Sequence, residues 1–316
     1  MTEPAGHTVV AGGAGFVGSH LVDALVARGE RVTVIDNLST GCVENIAHLA
    51  GHPLVRFIEH DVCEALPELQ GITAVANLAC PASPKDFDSK GFEILAVGSV
   101  GNTNLLELAH CHHARFLVTS TSEVYGEPAV HPQSESYFGN VDPTGPRSVY
   151  DESKRFAEAS TSAYRRLRGT NTAIARLFNT YGPRMRLDDG RAVVNMVVQA
   201  LRGEPLTVYG DGQQTRSFCF VSDTVNGLLA LLDSTHPGPV NLGNPAEVTI
   251  LHLARLTVEL TDSGSSIAFL PPAPADPSRR RPDISVARDV LGWSPQVPLV
   301  AGLQETITSV RAALAR

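Results

Sequence analysis

Tyr150 and Lys154 stand four residues apart, the spacing that turns two side chains to one face of a helix. Thr121 lies 29 residues upstream of the tyrosine, at the end of an apolar run. A lysine ammonium near a phenol favours the phenolate and lowers its pKa. Tyr150 can then take the proton of a carbinol, and Thr121 can hydrogen-bond the same hydroxyl and hold it in line. A surface pair at helical spacing is the plain alternative, since Y-x-x-x-K also arises by chance. A hydroxyl, a phenol and a lysine suffice to move a hydride, so Glu123, two residues beyond Thr121, needs its own account. It is either a solvated charge at a strand end or a sign that another step follows the oxidation.

Elements must bring these groups together. Short apolar runs at 7–11, 31–35, 54–58, 73–79, 115–119 and 172–177 alternate with helical stretches, a rhythm that implies parallel strands joined by crossover helices. The expected fold is α/β, a doubly wound, Rossmann-like parallel sheet. In such sheets active residues gather beyond the carboxyl ends of strands, where Thr121, Ser122 and Glu123 fall. From about Asn179 the pattern becomes irregular and rich in Gly, Pro and Arg, with helical pieces near 192–201, 223–232, 249–260 and 299–314. We expect residues 1–180 to form the cofactor domain and 181–316 mostly a smaller C-terminal substrate-binding lobe, with the chain crossing back to the sheet. The stretch 271–281 combines prolines with Arg279-Arg280-Arg281 and reads as a stiff loop ending in charge.

Composition sets the limits. With 316 residues, 43% of them hydrophobic, the chain can bury a sizeable core without staples. Its five cysteines are odd in number, scattered and free of C-x-x-C pairs, which reads as free thiols in a reducing compartment with no structural zinc. His110, His112 and His113 crowd a helix end but lack ligand spacing, so no metal is expected. Residues 1–6 are polar, and no apolar run approaches bilayer length. The expectation is a soluble, cytoplasmic protein. A formal charge of -8 argues against a nucleic-acid surface or an anionic membrane as partner, so an anionic ligand must be met by local arginines.

Gly12-Gly13-Ala14-Gly15-Phe16-Val17-Gly18 follows the first strand and opens a helix near Phe16. Glycines at 12, 15 and 18 allow the tight turn, bring backbone N–H groups against a pyrophosphate and let helix and strand pack closely. Asp36 ends the second strand about 20 residues on, where its carboxylate can accept from both ribose hydroxyls. That carboxylate would repel a 2'-phosphate, so NAD is favoured over NADP, and the nicotinamide charge would further favour the Tyr150 phenolate. Asp61-Val62, after the third strand, is either an adenine contact or a helix N-cap.

With these residues in view, the chain resembles the extended short-chain dehydrogenases/reductases, and within them it is most similar to the UDP-glucuronate decarboxylase family. The resemblance is carried by 12–21, 34–41, Asn77-Leu78-Ala79-Cys80-Pro81-Ala82-Ser83-Pro84, 120–126, 131–135, 150–155, 176–185, 203–210, 214–218, 241–245 and Arg280-Arg281-Pro282-Asp283. It spans nearly the whole chain. The resemblance implies that NAD oxidises the sugar C4 hydroxyl of UDP-glucuronate and that the resulting ketone, beta to the C5 carboxylate, accepts the electrons released as carbon dioxide leaves. Return of the hydride gives UDP-xylose, and early release gives a UDP-4-keto-pentose. It implies catalytic roles for Thr121, Tyr150 and Lys154, with Glu123 and Arg280 orienting the carboxylate and managing water or protons, and Ser122 as a hydrogen-bonding support. Taken alone, Arg280 could equally be one member of a solvated basic run.

Besides the glycine loop, the resemblance assigns Asn37, Ser39, Thr40, Gly41, Leu78 and Ala79 to the cofactor. Arg216 is the best arginine fork for the diphosphate, after Gln214; Arg184 and Arg191 are further candidates. Asn179, Asn195 and Tyr209 are implied around the nucleotide and sugar, and Pro81 and Ser83 on the substrate side. Two positions depart from the family pattern: Glu93 stands where a lysine is usual, and Gly98 where an asparagine is usual. The first puts an anion where a cation would meet an anionic substrate, and the second removes an amide that helps hold the active-site helix. Both bear on the closing reduction. Family members pair through two long helices, here 91–112 and 148–168, so a homodimer is expected. Two other functions fit fewer residues: a nucleotide-sugar 4-epimerase, which gives Glu123 and Arg280 no task, and a nucleotide-sugar or NAD binding protein without turnover.

Overall fold

The computed structural model describes residues 6–271 and 279–315. Most of the expected loop at 271–281 therefore lies outside the described residues, although its charged end forms a strand, Arg279–Arg280.

Six parallel strands, β1 (His7–Ala11), β2 (Arg31–Asp36), β3 (Val55–Glu59), β4 (Ala74–Asn77), β5 (Arg115–Thr121) and β6 (Thr172–Leu177), fall where the apolar runs stand. Their order is β6-β5-β4-β1-β2-β3, and Val240–Leu242, from the second half of the chain, adds a seventh parallel strand beside β6. Both faces are buried, which is why the strands read as continuous apolar runs rather than alternating ones. Val10, Val32, Val34, Ala76 and Leu117 point into one core, and their neighbours Val9, Ala11, Ile35, Val75, Phe116 and Val118 into the other, as a period of two requires. The first core is closed by helices Phe16–Ala27, Ala192–Arg202, Val221–Asp233, Ile250–Thr261 and Leu299–Leu314; the second is closed by Asn102–Cys111 and Ser148–Arg168.

Two details position the site. The crossover between β4 and β5 runs through Gly91–Ala96, one π turn at Val97–Gly101, and Asn102–Cys111. A side chain on Gly98 would place its Cβ 2.7 Å from Cβ of Ser153 and 2.8 Å from the Ser153 carbonyl. Glycine thus lets this crossover pack directly against the helix that carries Tyr150 and Lys154. On the other side, Thr215–Ser217 pairs parallel to Arg279–Arg280 and antiparallel to Glu247–Thr249, placing Arg216 and Arg280 in register on adjacent strands. No helix among the described residues is long and apolar enough to cross a membrane.

Candidate active site

The glycine loop is shaped by contacts that admit no side chain. Gly12 has a left-handed backbone (φ +76°), and a Cβ there would lie 2.7 Å from the Ala79 nitrogen; one on Gly18 would lie 2.0 Å from the Gly12 carbonyl oxygen. At Gly15 the only close neighbour of such a Cβ would be that same carbonyl, 3.1 Å away, so the space in front of the loop is open to a phosphate. Asp36 accepts from the backbone N–H groups of Ala14 and Leu38, both at 2.9 Å, which leaves lone pairs for ribose hydroxyls. Burial pushes its carboxyl up and those two hydrogen bonds pull it down, with a net rise. No helix begins at Asp61, so it caps a turn rather than a helix: its carboxylate accepts from Cys63 N–H (2.8 Å) and Asn37 (3.0 Å), and with Val62 it lines the smaller cavity. These residues fit a dinucleotide.

Two adjoining cavities, of about 570 and about 340 Å³, share Gly12, Gly15, Thr40, Leu78 and Cys80. The smaller holds Asp36, Asn37, Ser39, Gly41 and Ala79. Phe16, Val17 and Gly18 line the larger, where Thr121, Ser122, Glu123, Tyr150 and Lys154 converge with Arg280 from the far end of the chain. Pro81, expected on the substrate side, lines the smaller cavity instead. Glu93 also lies there, exposed, and not among the residues around the larger cavity. The anion expected beside the substrate therefore stands at the cofactor mouth, because its place in the first turn of Gly91–Ala96 faces that side.

Thr121 ends β5 in extended backbone, and its hydroxyl accepts from Glu123 N–H at 3.2 Å, capping the short 3-10 turn Ser122–Tyr125. The cap fixes the direction of both the threonine hydroxyl and the glutamate. Tyr150 and Lys154 project from the first two turns of Ser148–Arg168. Nζ of Lys154 donates to the Thr119 carbonyl at 3.0 Å and sits 5.8 Å from the Tyr150 ring centre. Burial pushes the Tyr150 phenol well above its ordinary value, Cys80 and Glu123 add to that, and the Thr121 hydroxyl pulls against it. The protein alone therefore works opposite to the lowering expected from the Tyr-Lys spacing, because desolvating a phenolate outweighs the Thr121 hydrogen bond and the Arg191 charge that favour it.

Glu123 is the centre of a charge cluster. Its carboxylate is forked by Arg280, whose second guanidinium nitrogen lies 3.1 Å from Oε2, and Arg147 reaches the same oxygen at 2.7 Å. Burial opposes its ionisation, but Arg280 and Arg147 outweigh burial and hold the carboxyl below the usual range. The counter-ion demanded by the sequence is thus doubled. Arg147 was not among the sequence candidates; its signal is its place three residues before Tyr150, at the start of the same helix. Phe87 was missed as well. It stacks on Tyr150 (ring centres 5.1 Å apart, 17°), and the Arg147 guanidinium lies over the same Phe87 ring, 5.6 Å from its centre. Phe87 thus touches both the phenol and the charge cluster.

Arg216 is buried, lines the larger cavity and donates to its neighbour Thr215's carbonyl at 2.8 Å. Arg191 forks Asp189 (2.7 and 3.1 Å), and Arg184 reaches Asp23 at 2.7 Å. Both face the cavity with part of their charge already committed. Asn179, Asn195, Tyr209 and Gln214 line the same cavity, and Ser83 there donates to the Asp189 carbonyl. Of the histidines near 110, His110 pairs with the Thr170 hydroxyl at 2.9 Å.

Known proteins share the sequence pattern and the fold. The model of the NAD dependent epimerase/dehydratase family matches residues 8–243. The chain belongs to that family. It is 53% identical over 303 residues to UDP-glucuronic acid decarboxylase 4 of Arabidopsis thaliana, covering 96% of this chain and 68% of that one. It is 51% identical to UDP-glucuronic acid decarboxylase 1 of Xenopus tropicalis, covering 95% and 70%. Among solved structures, the family fold recurs in UDP-glucose 4-epimerase of Thermotoga maritima with UDP-glucose (TM-score 0.90, 29% identity, 98% and 99% covered). It recurs also in a UDP-glucuronic acid 4-epimerase of Bacillus cereus in complex with NAD and a fluorinated UDP-sugar (TM-score 0.86, 29% identity, 97% and 99% covered).

Proposed function

We propose that the protein is an NAD-dependent UDP-glucuronate decarboxylase producing UDP-xylose, a UDP-4-keto-pentose, or both. The observation that carries this reading is Glu123 held as a carboxylate between Arg280 and Arg147 in the cavity that contains Thr121 and Tyr150. A 4-epimerase would need Thr121, Tyr150 and Lys154 but would give Glu123 and Arg280 no task. Bound NAD supplies hydride acceptance and return at the sugar C4 and a positive charge near the phenol.

Thr121 and Tyr150 grip the C4 hydroxyl, and Tyr150 takes its proton as the carbinol becomes a ketone. Lys154 holds the phenolate electrostatically. With a ketone at C4, the C5–carboxylate bond breaks, its electron pair enters the enolate, and carbon dioxide leaves. Arg280, Arg147 and Glu123 orient the departing carboxylate and order the group or water that protonates C5. Overall one proton is consumed and one carbon dioxide released. Tyr150 returns its proton to the C4 oxygen when the pentose is reduced. Gly98 seats the crossover tightly against the Tyr150 helix, and the missing amide there sets how much 4-keto-pentose leaves before the hydride returns. Arg216 is the reading for the diphosphate, with Asn179, Asn195, Tyr209 and Gln214 around the nucleotide.

Residues 1–180 serve as the cofactor domain and 181–316 mostly as the substrate lobe. The exposed Phe92 (89%), Leu95 and Phe156 on the two helical segments support pairing into a homodimer. The five unpaired cysteines support a reducing, cytoplasmic setting. Incubating the purified protein with UDP-glucuronate and NAD and measuring carbon dioxide and product mass tests the reading. Replacing Glu123 by Gln should abolish carbon dioxide release, and absence of release from the unmodified protein overturns it.

A further inference from the structure

Asp151 follows Tyr150 directly and takes no part in the chemistry above. It is 5% exposed, its backbone N–H donates to the Arg147 carbonyl at 3.1 Å, and its Oδ1 has no hydrogen-bond partner among the described residues. Side chains in a helix lean toward its N-terminus, which brings this carboxyl toward Arg147 and the pair it serves. The charges that act on it are Glu123 from the turn after β5, Arg280 from the strand Arg279–Arg280, and Arg147 and Glu152 from its own helix. The packed neighbour Gly91–Ala96 contributes the apolar Ile94 to the cluster around Tyr150. A buried carboxyl with an unpaired oxygen is costly when ionised, so the cluster favours its neutral form.

We propose that Asp151 is a positioning residue that sets the charge of the carboxylate-receiving end: when neutral, it leaves Glu123, Arg147 and Arg280 with one net positive charge to meet the substrate's carboxylate. The proposal rests on UDP-glucuronate as the ligand. Burial, and after it the charge of Glu123, push the Asp151 carboxyl up to about 7 against the pull of Arg147 and Arg280. The switch therefore lies in the working pH range. Below it the cluster is cationic; above it the two carboxylates cancel the two guanidiniums, and an incoming anion meets no net attraction. By linkage, binding the anion draws a proton onto Asp151.

The test is calorimetric titration of NAD-loaded protein carrying Tyr150→Phe, which blocks turnover, with UDP-glucuronate and with UDP-glucose. If only the neutral form binds, affinity for UDP-glucuronate falls on the order of tenfold between about pH 7 and about pH 8.5, following the neutral fraction. UDP-glucose, with no carboxylate, should show a flat profile. Adding Asp151→Asn, an isostere that cannot ionise, should flatten the UDP-glucuronate profile while keeping the tight acid-side affinity. Equal slopes for the two sugars, or a slope that survives Asp151→Asn, overturns the proposal. If that variant does not fold, the comparison of the two sugars on the parent protein decides alone. Because no turnover is needed, this result stands apart from the carbon dioxide assay, whose failure would sink the decarboxylase reading itself.

Discussion

The two ends of the active cleft are built in opposite ways. At the cofactor end, seven consecutive residues, 12–18, and one aspartate at the end of the next strand supply the shape, mostly through backbone. At the carboxylate end, Glu123, Arg147, Asp151 and Arg280 come from three separate segments and act through charge. Backbone cradles are specified by local sequence because only glycine tolerates the close contacts. Charge clusters need only proximity, which any topology can supply, so their members carry no local signature.

That contrast can be broken at its strongest point first. Gly18→Ala drives a Cβ into the Gly12 carbonyl, 2.0 Å away. It should destabilise the fold by roughly 4 kcal/mol or more, lowering Tm by about 10 °C, and should abolish NAD binding by fluorescence titration. A variant that binds NAD normally would show that the loop, too, is adaptable. Arg280→Ala comes next: it removes the fork on a carboxylate that is deeply enclosed, and decarboxylation should fall by roughly 10²–10³-fold with NAD affinity unchanged. Arg147→Ala, on the more exposed partner, should cost on the order of tenfold in kcat. Equal losses would mean that the two arginines act as one unit.

The last effect is on stability and its dependence on pH. Since the folded-state pKa of Asp151 is raised from 3.8 to about 7, the native protein keeps a proton that the unfolded chain has lost between those values, and stability falls as pH rises through that window. Asp151→Asn removes the slope, so above about pH 7 its Tm should exceed the parent's by up to about 10 °C, and it should converge with the parent toward about pH 4. A constant offset across that range would show that Asp151 does not titrate there.

The strands, the glycine loop, Asp36, and the Thr121, Tyr150 and Lys154 constellation were all legible before any coordinates. Their signals are periodicity and fixed spacing, which the chain carries locally. Glu123 and Arg280 were legible as residues, their pairing only through resemblance. Arg147 and Phe87 escaped notice because an arginine before a helix and a phenylalanine after a proline loop are unremarkable until folding stacks Phe87 on Tyr150 and lays Arg147 over Phe87. The side on which Glu93 stands was misread for the same reason.

What the sequence determined by itself was the parallel sheet, the cofactor cradle and the set of proton-moving groups, since each rests on backbone geometry or on neighbours within one helical turn. Only the tertiary structure decided the protonation states. Burial raises Tyr150 and Asp151 and two distant guanidiniums lower Glu123, because the energy of a charge depends on everything within several ångströms of it, whatever its distance along the chain.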